Sequence, residues 1–293
     1  MKKVLSLTLG VIAVLLVLFV SCAGNDSYPC SIQVSSIEGG KASITNHEGT
    51  SIEILAGVAV EVVAVPDAGY EFIGWFVGKT KRNDGVTWKF VAKEDIVLTA
   101  MFARPKVDLG LPSGVKWATY NVGAVSPEEC GGYYAWGETE EKADYSWATY
   151  KWCQGTDDTM SKYCTNGHLG TFDDKTVLDP EDDVANVKWG GAWRMPTKAE
   201  QDELRLECNW EKETLNGVDG YRVTGPNGNS IFLPAASYRY DTDIYERSSS
   251  GDYWSSSLSS EICRDAYYLN FENTSSVWTS ARYYGRSVRA VCE

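Results

Sequence analysis

The stretch VKWGGAWRMPT, residues Val187–Thr197, decides how the C-terminal part of this chain folds. Its two tryptophans flank a Gly-Gly pair, and each indole is a large apolar group whose N–H needs a partner. The two glycines allow a tight bend where a Cβ would clash. Thr197 with Glu200 forms a capping box, which predicts a helix that begins at Lys198. The stretch therefore predicts the centre of a compact domain.

Size and charge limit the classes of function. The chain has 293 residues, 43% of them hydrophobic, which is enough for about two domains. Its net charge of −13 repels phosphate backbones, so no nucleic-acid partner is predicted. Only two histidines are present, His47 and His168, which argues against histidine-based catalysis and a zinc site. The 11 Trp and 17 Tyr serve cores and recognition surfaces.

The N-terminus has the pattern of an export signal. Met1–Lys3 is positive, Val4–Val20 is almost wholly apolar, and Ser21-Cys22 ends the run. A cysteine directly after a small residue resembles a bacterial lipoprotein signal, which implies cleavage before Cys22 and attachment of lipid, including palmitate, to its thiol. We predict a lipoprotein signal peptide over 1–21 and a lipidated linker over 22–31. The alternatives are an uncleaved membrane helix and an ordinary signal peptide.

Seven cysteines remain besides Cys22. Export permits disulfides, and the odd number leaves at least one cysteine free or paired between chains. The sequence does not fix the connectivity, and Cys153 with Cys164 or Cys263 with Cys292 are two pairings considered. No C-x-x-C occurs, so neither a redox dithiol nor a zinc knuckle is predicted.

Residues 32–103 are predicted to form a small all-β module. Short runs that alternate apolar and polar residues recur there, separated by Gly, Asn or Asp. Segments of this region include EGGKA (38–42), GYEFIGW (69–75) and VLTAMF (97–102). In order and spacing they resemble the divergent internalin B-type repeat, which implies a stalk or spacer on a bacterial surface protein. Tyr70 and Trp75 are interpreted as core residues rather than as a ligand-stacking pair.

Residues 107–293 are predicted to form a larger domain after a boundary at Pro105, which interrupts strand pairing. Helices are predicted early in this domain, one capped by Asp179 and one over Lys198–Cys208. Strands are predicted late, and the polar residues 138–183 form a long loop of a kind that is often functional. The predicted fold class is therefore α+β.

Several motifs of this region occur together: DLGLPSGVKWATYNVGA, GGYYAWGET, LDPEDDVANVKWGGAWRMPT, GYRVTGPNGNSIFLPAA, YWSSS and GRSVRAV. They resemble the major paralogous (FISUMP-type) domain of lipoproteins from gut anaerobes. The resemblance implies a C-type-lectin-like fold over residues 107–293, related also to formylglycine-generating enzymes. It implies a cell-envelope address, and it assigns no ligand.

Two kinds of chemistry follow from that kinship, and the sequence favours neither. Acidic clusters that a calcium site needs are present at Asp157-Asp158, Asp173-Asp174, Glu181-Asp182-Asp183 and Asp241 with Asp243. The lectin signatures E-P-N, Q-P-D and W-N-D are absent, so we interpret these acids as solvated groups and helix caps. A copper oxidase needs two close cysteines, but Cys263 and Cys292 are far apart in sequence. We predict no catalytic residue, no metal and no cofactor.

The favoured hypothesis is a non-catalytic binding or adhesion module at the cell envelope, in the outer membrane or on the cell surface. Tyr and Arg carry binding at wet surfaces. The predicted ligand-binding residues are Tyr238, Tyr240, Tyr245, Tyr283 and Tyr284. Their partner would be an extracellular glycan or protein, and the lipid on Cys22 would anchor the protein in the membrane. The alternatives are a structural subunit of a surface assembly and an uncharacterised enzyme of the formylglycine-generating-like fold.

Two further groups of side chains are given structural roles. Trp189, Trp193 and Trp254 are expected in the core. A buried arginine requires a partner, so Arg194, Arg286 and Arg289 are expected to pair with buried acids rather than with ligand.

Overall fold

The fold is taken from a computed structural model, which describes residues 28–245 and 250–293. The predicted signal peptide over 1–21 and the lipid site at Cys22 lie outside the described residues. In the part of the chain that is described, no helix has the length and apolar character needed to cross a membrane.

The N-terminal module contains eight strands that form two sheets. The strands are β1 (Pro29–Ser36), β2 (Gly40–Ile44), β3 (Ser51–Leu55), β4 (Ala59–Pro66), β5 (Glu71–Val77), β6 (Thr80–Asn83), β7 (Thr87–Val91) and β8 (Ile96–Ala103). One sheet has the order β3-β1-β8-β5-β6, and the other has the order β2-β4-β7. The all-β prediction for residues 32–103 is therefore confirmed.

Alternation of side chains along these strands builds the module's core. Val60, Val62 and Ala64 of β4 point inward, while the residues between them are more exposed. Trp75 is fully buried, and its Nε1 donates to the carbonyl oxygen of Gly85 over 3.1 Å. The core interpretation of Trp75 is thus correct.

The remaining elements belong to residues 106–293. They are β9 (Lys106–Asp108), β10 (Lys116–Ala118), α1 (Val184–Trp189), α2 (Lys198–Glu207), β11 (Asn209–Leu215), β12 (Val218–Thr224), β13 (Ser230–Pro234), β14 (Tyr238–Tyr240), β15 (Asp243–Tyr245), β16 (Gly251–Leu258), β17 (Asp265–Phe271), β18 (Ser275–Ala281), β19 (Gly285–Arg286) and β20 (Val291–Cys292). They form four three-stranded sheets, ordered β20-β10-β9, β11-β12-β13, β15-β14-β19 and β16-β17-β18.

The predicted α+β class is wrong, and the C-type-lectin-like fold predicted over 107–293 is not confirmed. Strands account for 44% of the structure and helices for 8%. The described residues contain two α-helices, of 6 and 10 residues. Both predicted helices form, but they are short. Helix α1 ends where Gly190 adopts a φ of 66°. Helix α2 ends at Cys208, where the chain becomes extended and enters β11. Capping motifs fix where a helix begins and do not fix how much helix a domain contains.

The Val187–Thr197 stretch begins in the last turn of α1 and ends at the residue that caps α2. The capping box is present: the Thr197 side chain accepts from the Glu200 amide, and the Glu200 carboxylate accepts from the Thr197 amide over 2.7 Å. The first helix begins differently. Residues Pro180–Asp182 form a single 3₁₀ turn, and Asp183 caps α1 in place of the predicted Asp179, whose side chain makes no capping bond.

A cationic side chain joins the N-terminal module to the larger region. The guanidinium of Arg104 lies 4.4 Å from the ring centroid of Tyr70 and 4.8 Å from that of Trp189. Its Nη2 also donates to the Tyr70 hydroxyl over 2.9 Å. The Tyr120 hydroxyl donates to the carbonyl oxygen of Gly69 close by. The predicted domain bounds stay a prediction, and these contacts span the predicted boundary.

Candidate functional site

Five tyrosines come together at the β14–β15 hairpin and the turn before β19. We call Tyr238, Tyr240, Tyr245, Tyr283 and Tyr284 the tyrosine cluster. Strand β14 pairs with β15 on one side and with β19 on the other, so the two segments meet although they are far apart in sequence. The structure therefore assembles all five residues singled out from the sequence, and their role in binding stays a prediction.

Ring contacts run through the whole cluster. Tyr238 stacks on Tyr245 with ring centroids 5.3 Å apart, and Tyr240 stacks on Tyr284 at 5.2 Å. Tyr283 and Tyr284 stack at 4.7 Å. Tyr245 is 43% exposed and the other four are half-buried. The cluster is thus a continuous aromatic surface, neither part of the core nor a set of free loop residues.

Residues beneath the cluster hold it in place. Trp147 packs against Tyr283 with ring centroids 4.7 Å apart. Gly285 lies against the ring of Tyr145, and a Cβ at this glycine would come within 2.5 Å of that ring. Burial, and then the neighbouring Tyr284 hydroxyl, raises the pKa of Tyr283, so this phenol stays protonated at neutral pH. The cluster offers neutral rings and hydroxyls.

A cavity of about 380 Å³ opens between the tyrosine cluster and the β16–β17–β18 sheet. Tyr238 and Tyr284 line it from the cluster, so the cavity and the cluster form one site. Opposite them, Asp252, Asn270 and Trp278 line it from the sheet. The Asn270 amide donates to Asp252 Oδ1 over 2.9 Å. Trp278 is 59% exposed and leaves an aromatic face at the rim.

Arg286 of β19 lies at the buried side of this cavity and is 3% exposed. Its guanidinium carbon lies 4.0 Å from the ring centroid of Tyr268, 4.4 Å from that of Trp254 and 5.0 Å from that of Tyr284. Among the described residues, no carboxylate forms an ion pair with it, and its Nε and Nη1 have no hydrogen-bond partner. The expectation that Arg286 pairs with a buried acid is wrong, because aromatic rings occupy the positions where an acid was expected.

The half-buried Arg194 and the buried Arg282 and Arg289 all have acceptor partners. Arg194 pairs with Glu200 through two contacts, of 2.5 and 2.8 Å, as expected. Arg289 contacts Asn121 Oδ1 over 2.8 Å and backbone carbonyls instead of an acid, which corrects the expectation for this residue. Burial lowers the pKa of Arg289 to about 10, so it remains charged at neutral pH. Arg282 is likewise bound by carbonyl oxygens, including that of Cys263 at 2.8 Å.

The two tryptophans of the Val187–Thr197 stretch, Trp189 and Trp193, are less buried than expected. Trp254 is fully buried, but Trp189 and Trp193 are half-buried and meet edge to face with centroids 5.1 Å apart. Trp193 also lines a second cavity of about 460 Å³. Asn186 Nδ2 donates to the Trp193 carbonyl oxygen over 3.1 Å, which ties the Gly-Gly bend to α1.

Acidic residues that were considered as calcium ligands instead accept hydrogen bonds from nearby backbone and side-chain groups. Asp173 accepts from the amides of Tyr163 and Cys164, both over 2.8 Å, and Asp182 accepts from the Tyr163 hydroxyl over 2.6 Å. Burial would raise the pKa of Asp173, but those amides outweigh it and hold the pKa below its usual range. Within the described ranges, no group of three or more His, Cys, Asp or Glu residues is placed to hold a metal ion.

The seven described cysteines are free thiols, and the closest contact between two of them belongs to neither arrangement considered. Cys164 and Cys263 are both fully buried, and their Sγ atoms lie 2.9 Å apart. Burial, with the neighbouring Cys263 thiol, raises the pKa of Cys164 to about 11. Cys292 lies elsewhere, with its Sγ 3.2 Å from Lys106 Nζ. The sequence separation of these residues gave no signal for this contact.

Sequence reasoning found the tyrosine cluster and missed the cavity beside it. Asp252, Asn270 and Trp278 were not singled out, and Arg286 was assigned to an ion pair. One signal was present: in the run SSVWTS, residues 275–280, a tryptophan interrupts small polar residues on what proved to be an edge strand.

One family model matches the chain. It is described as the divergent InlB B-repeat domain and covers residues 30–106. This match confirms the resemblance stated for residues 32–103. No curated protein and no solved structure gives a significant match. The C-type-lectin-like part of the fold prediction is therefore not confirmed, and the FISUMP-type resemblance of residues 107–293 stays a prediction.

Proposed function

We propose that this protein is a lipid-anchored, non-catalytic binding module of the bacterial cell envelope. In this proposal the repeat at 30–106 is the spacer, and residues 107–293 are a FISUMP-type domain that captures an extracellular glycan or protein. A repeat of the divergent InlB B type suggests a surface or adhesion module. Pairing of β20 with β10 supports treating 107–293 as one unit, because it joins the two ends of that region.

The observation that carries the binding proposal is the tyrosine cluster. Five rings from two distant segments form one partly exposed surface beside an open cavity. Tyrosines supply large contact area and hydroxyl hydrogen bonds at low conformational cost, which suits recognition. Tyr245 remains 43% exposed, whereas a ring that served only packing would be expected to be buried.

The test is a binding screen of the full-length protein on glycan and protein arrays, with and without calcium. Tyr245→Ala removes the most exposed ring of the cluster and should weaken binding about tenfold, since such anchors contribute roughly 1–2 kcal/mol. The matched control is Tyr28→Ala, because Tyr28 is 54% exposed and lies just before the repeat, far from the cluster in sequence. Equal affinity of the two variants would contradict the assignment. Turnover abolished by a single acid substitution would favour an enzyme, and polymerisation of the purified protein would favour an assembly subunit.

The anchor is tested separately. The apolar run ending at Ser21-Cys22 supports lipidation of Cys22. Cells fed an alkyne analogue of palmitate should label the wild-type protein, and Cys22→Ala should abolish the label. Labelling that survives in Cys22→Ala would refute the anchor, whatever the outcome of the binding screen.

A further inference from the structure

We propose that the cavity between the tyrosine cluster and the β16–β17–β18 sheet binds a sugar residue that carries a carboxylate, with the carboxylate at Arg286. This inference rests on the proposed function and names the class of ligand for the same site.

Among the described residues no carboxylate forms an ion pair with Arg286, and Asp265 interacts with its charge only at longer range. A buried charge is stable when it is paired and hydrogen-bonded, and an unpaired one is unfavourable. The rings of Tyr268 and Trp254 provide cation–π attraction to its faces. The ring faces do not accept its N–H groups. The Tyr268 hydroxyl lies close enough to interact with the guanidinium, but Nε and Nη1 remain without partners. An anionic ligand in the cavity supplies the missing acceptor, and arginine is well suited to carboxylates.

The other lining groups distinguish a carboxylate sugar from other anions. Asp252 and Glu272 also line the cavity, and two carboxylates disfavour a doubly charged phosphate. The same carboxylates, together with Asn270, accept or share the hydrogen bonds of hydroxyl groups. A ligand that combines one negative charge with several hydroxyls meets both conditions.

The rim and the volume of the cavity suit a single sugar ring. Trp278 is 59% exposed and lies opposite Tyr268 in the β17–β18 register, so it extends the cavity with an aromatic face. Such a face suits the apolar side of a sugar ring. A volume of about 380 Å³ lies near the lower end of small-molecule sites, which are roughly 300–1,000 Å³. The site therefore fits one sugar residue of a longer glycan.

The experiment is calorimetric titration of the full-length protein at neutral pH. Two acidic probes, methyl galacturonide and the methyl glycoside of N-acetylneuraminic acid, are compared with methyl galactoside, the neutral counterpart of the first. We expect at least one acidic probe to bind about tenfold or more tightly than the galactoside, the scale of a hydrogen bond to a charged group. The better acidic probe identifies uronic or sialic acid as the source.

Variants assign the binding to this cavity. Arg286→Gln should abolish the preference for the acidic probe. Because Arg286 is buried and its loss can unfold the chain, Trp278→Ala provides a second, surface test and should weaken binding about tenfold. Its control is Phe172→Ala, equally exposed at 59% and outside the cavity.

Three results would overturn the inference. The first is equal affinity for acidic and neutral sugars. The second is that Trp278→Ala binds the acidic probe as tightly as Phe172→Ala does. The third is that an acidic peptide binds more tightly than both acidic sugars. Each of these leaves the proposed binding function standing, because a ligand is still bound. Failure of the proposed function differs: the arrays and the titrations would then both be blank.

Discussion

Replacing Asp183 with alanine should destabilise the larger region more than replacing any other buried acidic residue described above. Asp183 Oδ1 accepts from the amides of Ala185 and Asn186 over 2.9 and 3.1 Å, and Oδ2 accepts from the Met195 amide over 2.7 Å. One carboxylate thus caps α1 and also fixes the chain just after the Gly-Gly bend. It is 5% exposed, so water cannot take its place.

The expected loss follows from those three bonds. Removing an N-cap destabilises a protein by about 1 kcal/mol, and an unsatisfied buried N–H adds about 1–3 kcal/mol. We therefore expect Asp183→Ala to lower the free energy of unfolding by about 2–4 kcal/mol. Burial raises the pKa of Asp183, which shows that its charge is itself held at some cost. Asp183→Asn, which keeps one acceptor oxygen, should lose about half as much.

The assay is urea unfolding followed by tryptophan fluorescence, with Asp158→Ala as the control. Asp158 is exposed, and its carboxylate accepts from the Thr156 hydroxyl. The control should stay within about 0.5 kcal/mol of wild type. If Asp183→Ala also stays within that range, the three bonds do not hold the Gly-Gly bend, and the organising role of Val187–Thr197 is refuted.

Three further outcomes are expected. Refolding of the reduced, unfolded protein with oxidised glutathione should link Cys164 to Cys263, because in the folded chain both thiols are buried and out of reach of the reagent. Peptide mapping of the unreduced protein should find that link; a link to any other cysteine would contradict the 2.9 Å contact. Arg104→Ala removes the cation–π contacts at the junction and should speed tryptic cleavage at Lys106 about fivefold, the scale of roughly 1 kcal/mol; an unchanged rate would mean that the junction is held without them. Burial would raise the pKa of Glu200, but the Arg194 guanidinium outweighs it and holds the pKa below its usual range. Its stabilisation is therefore present at neutral pH and is lost as pH falls through that lowered pKa. Urea unfolding should show Glu200→Gln less stable than wild type by about 1.5–3 kcal/mol at pH 7, and this difference should shrink as the pH is lowered through the acid range; a difference that does not shrink in acid would refute the pairing.

Local signals in the sequence predicted local structure well. The Thr197–Glu200 capping box needs only four consecutive residues, and it forms as expected. Alternation in the repeat was equally reliable, because burial on one face of a strand depends on the nearest neighbours. The Asp179 cap was wrong by one turn, since Pro180–Asp182 closed into a 3₁₀ turn and left Asp183 at the start of α1.

Features that depend on distant residues were not predictable. The fold class was wrong because short helix signals were given the same weight as many weakly marked strands. Arg286 looked like an ion-pair partner because nothing in its own segment shows that Tyr268 and Trp254 would cover it. The five tyrosines were found because tyrosine is suited to exposed surfaces, but their meeting depends on the β14–β19 pairing.

The pairing of β20 with β10 has a kinetic consequence. The two strands come from opposite ends of the larger region, so nearly all of that region must be in place before they can meet. Contacts of this kind slow folding, because the entropy of closing a long loop is lost before the contact returns any energy. We expect the region to fold slowly, which would suit the export proposed for this chain.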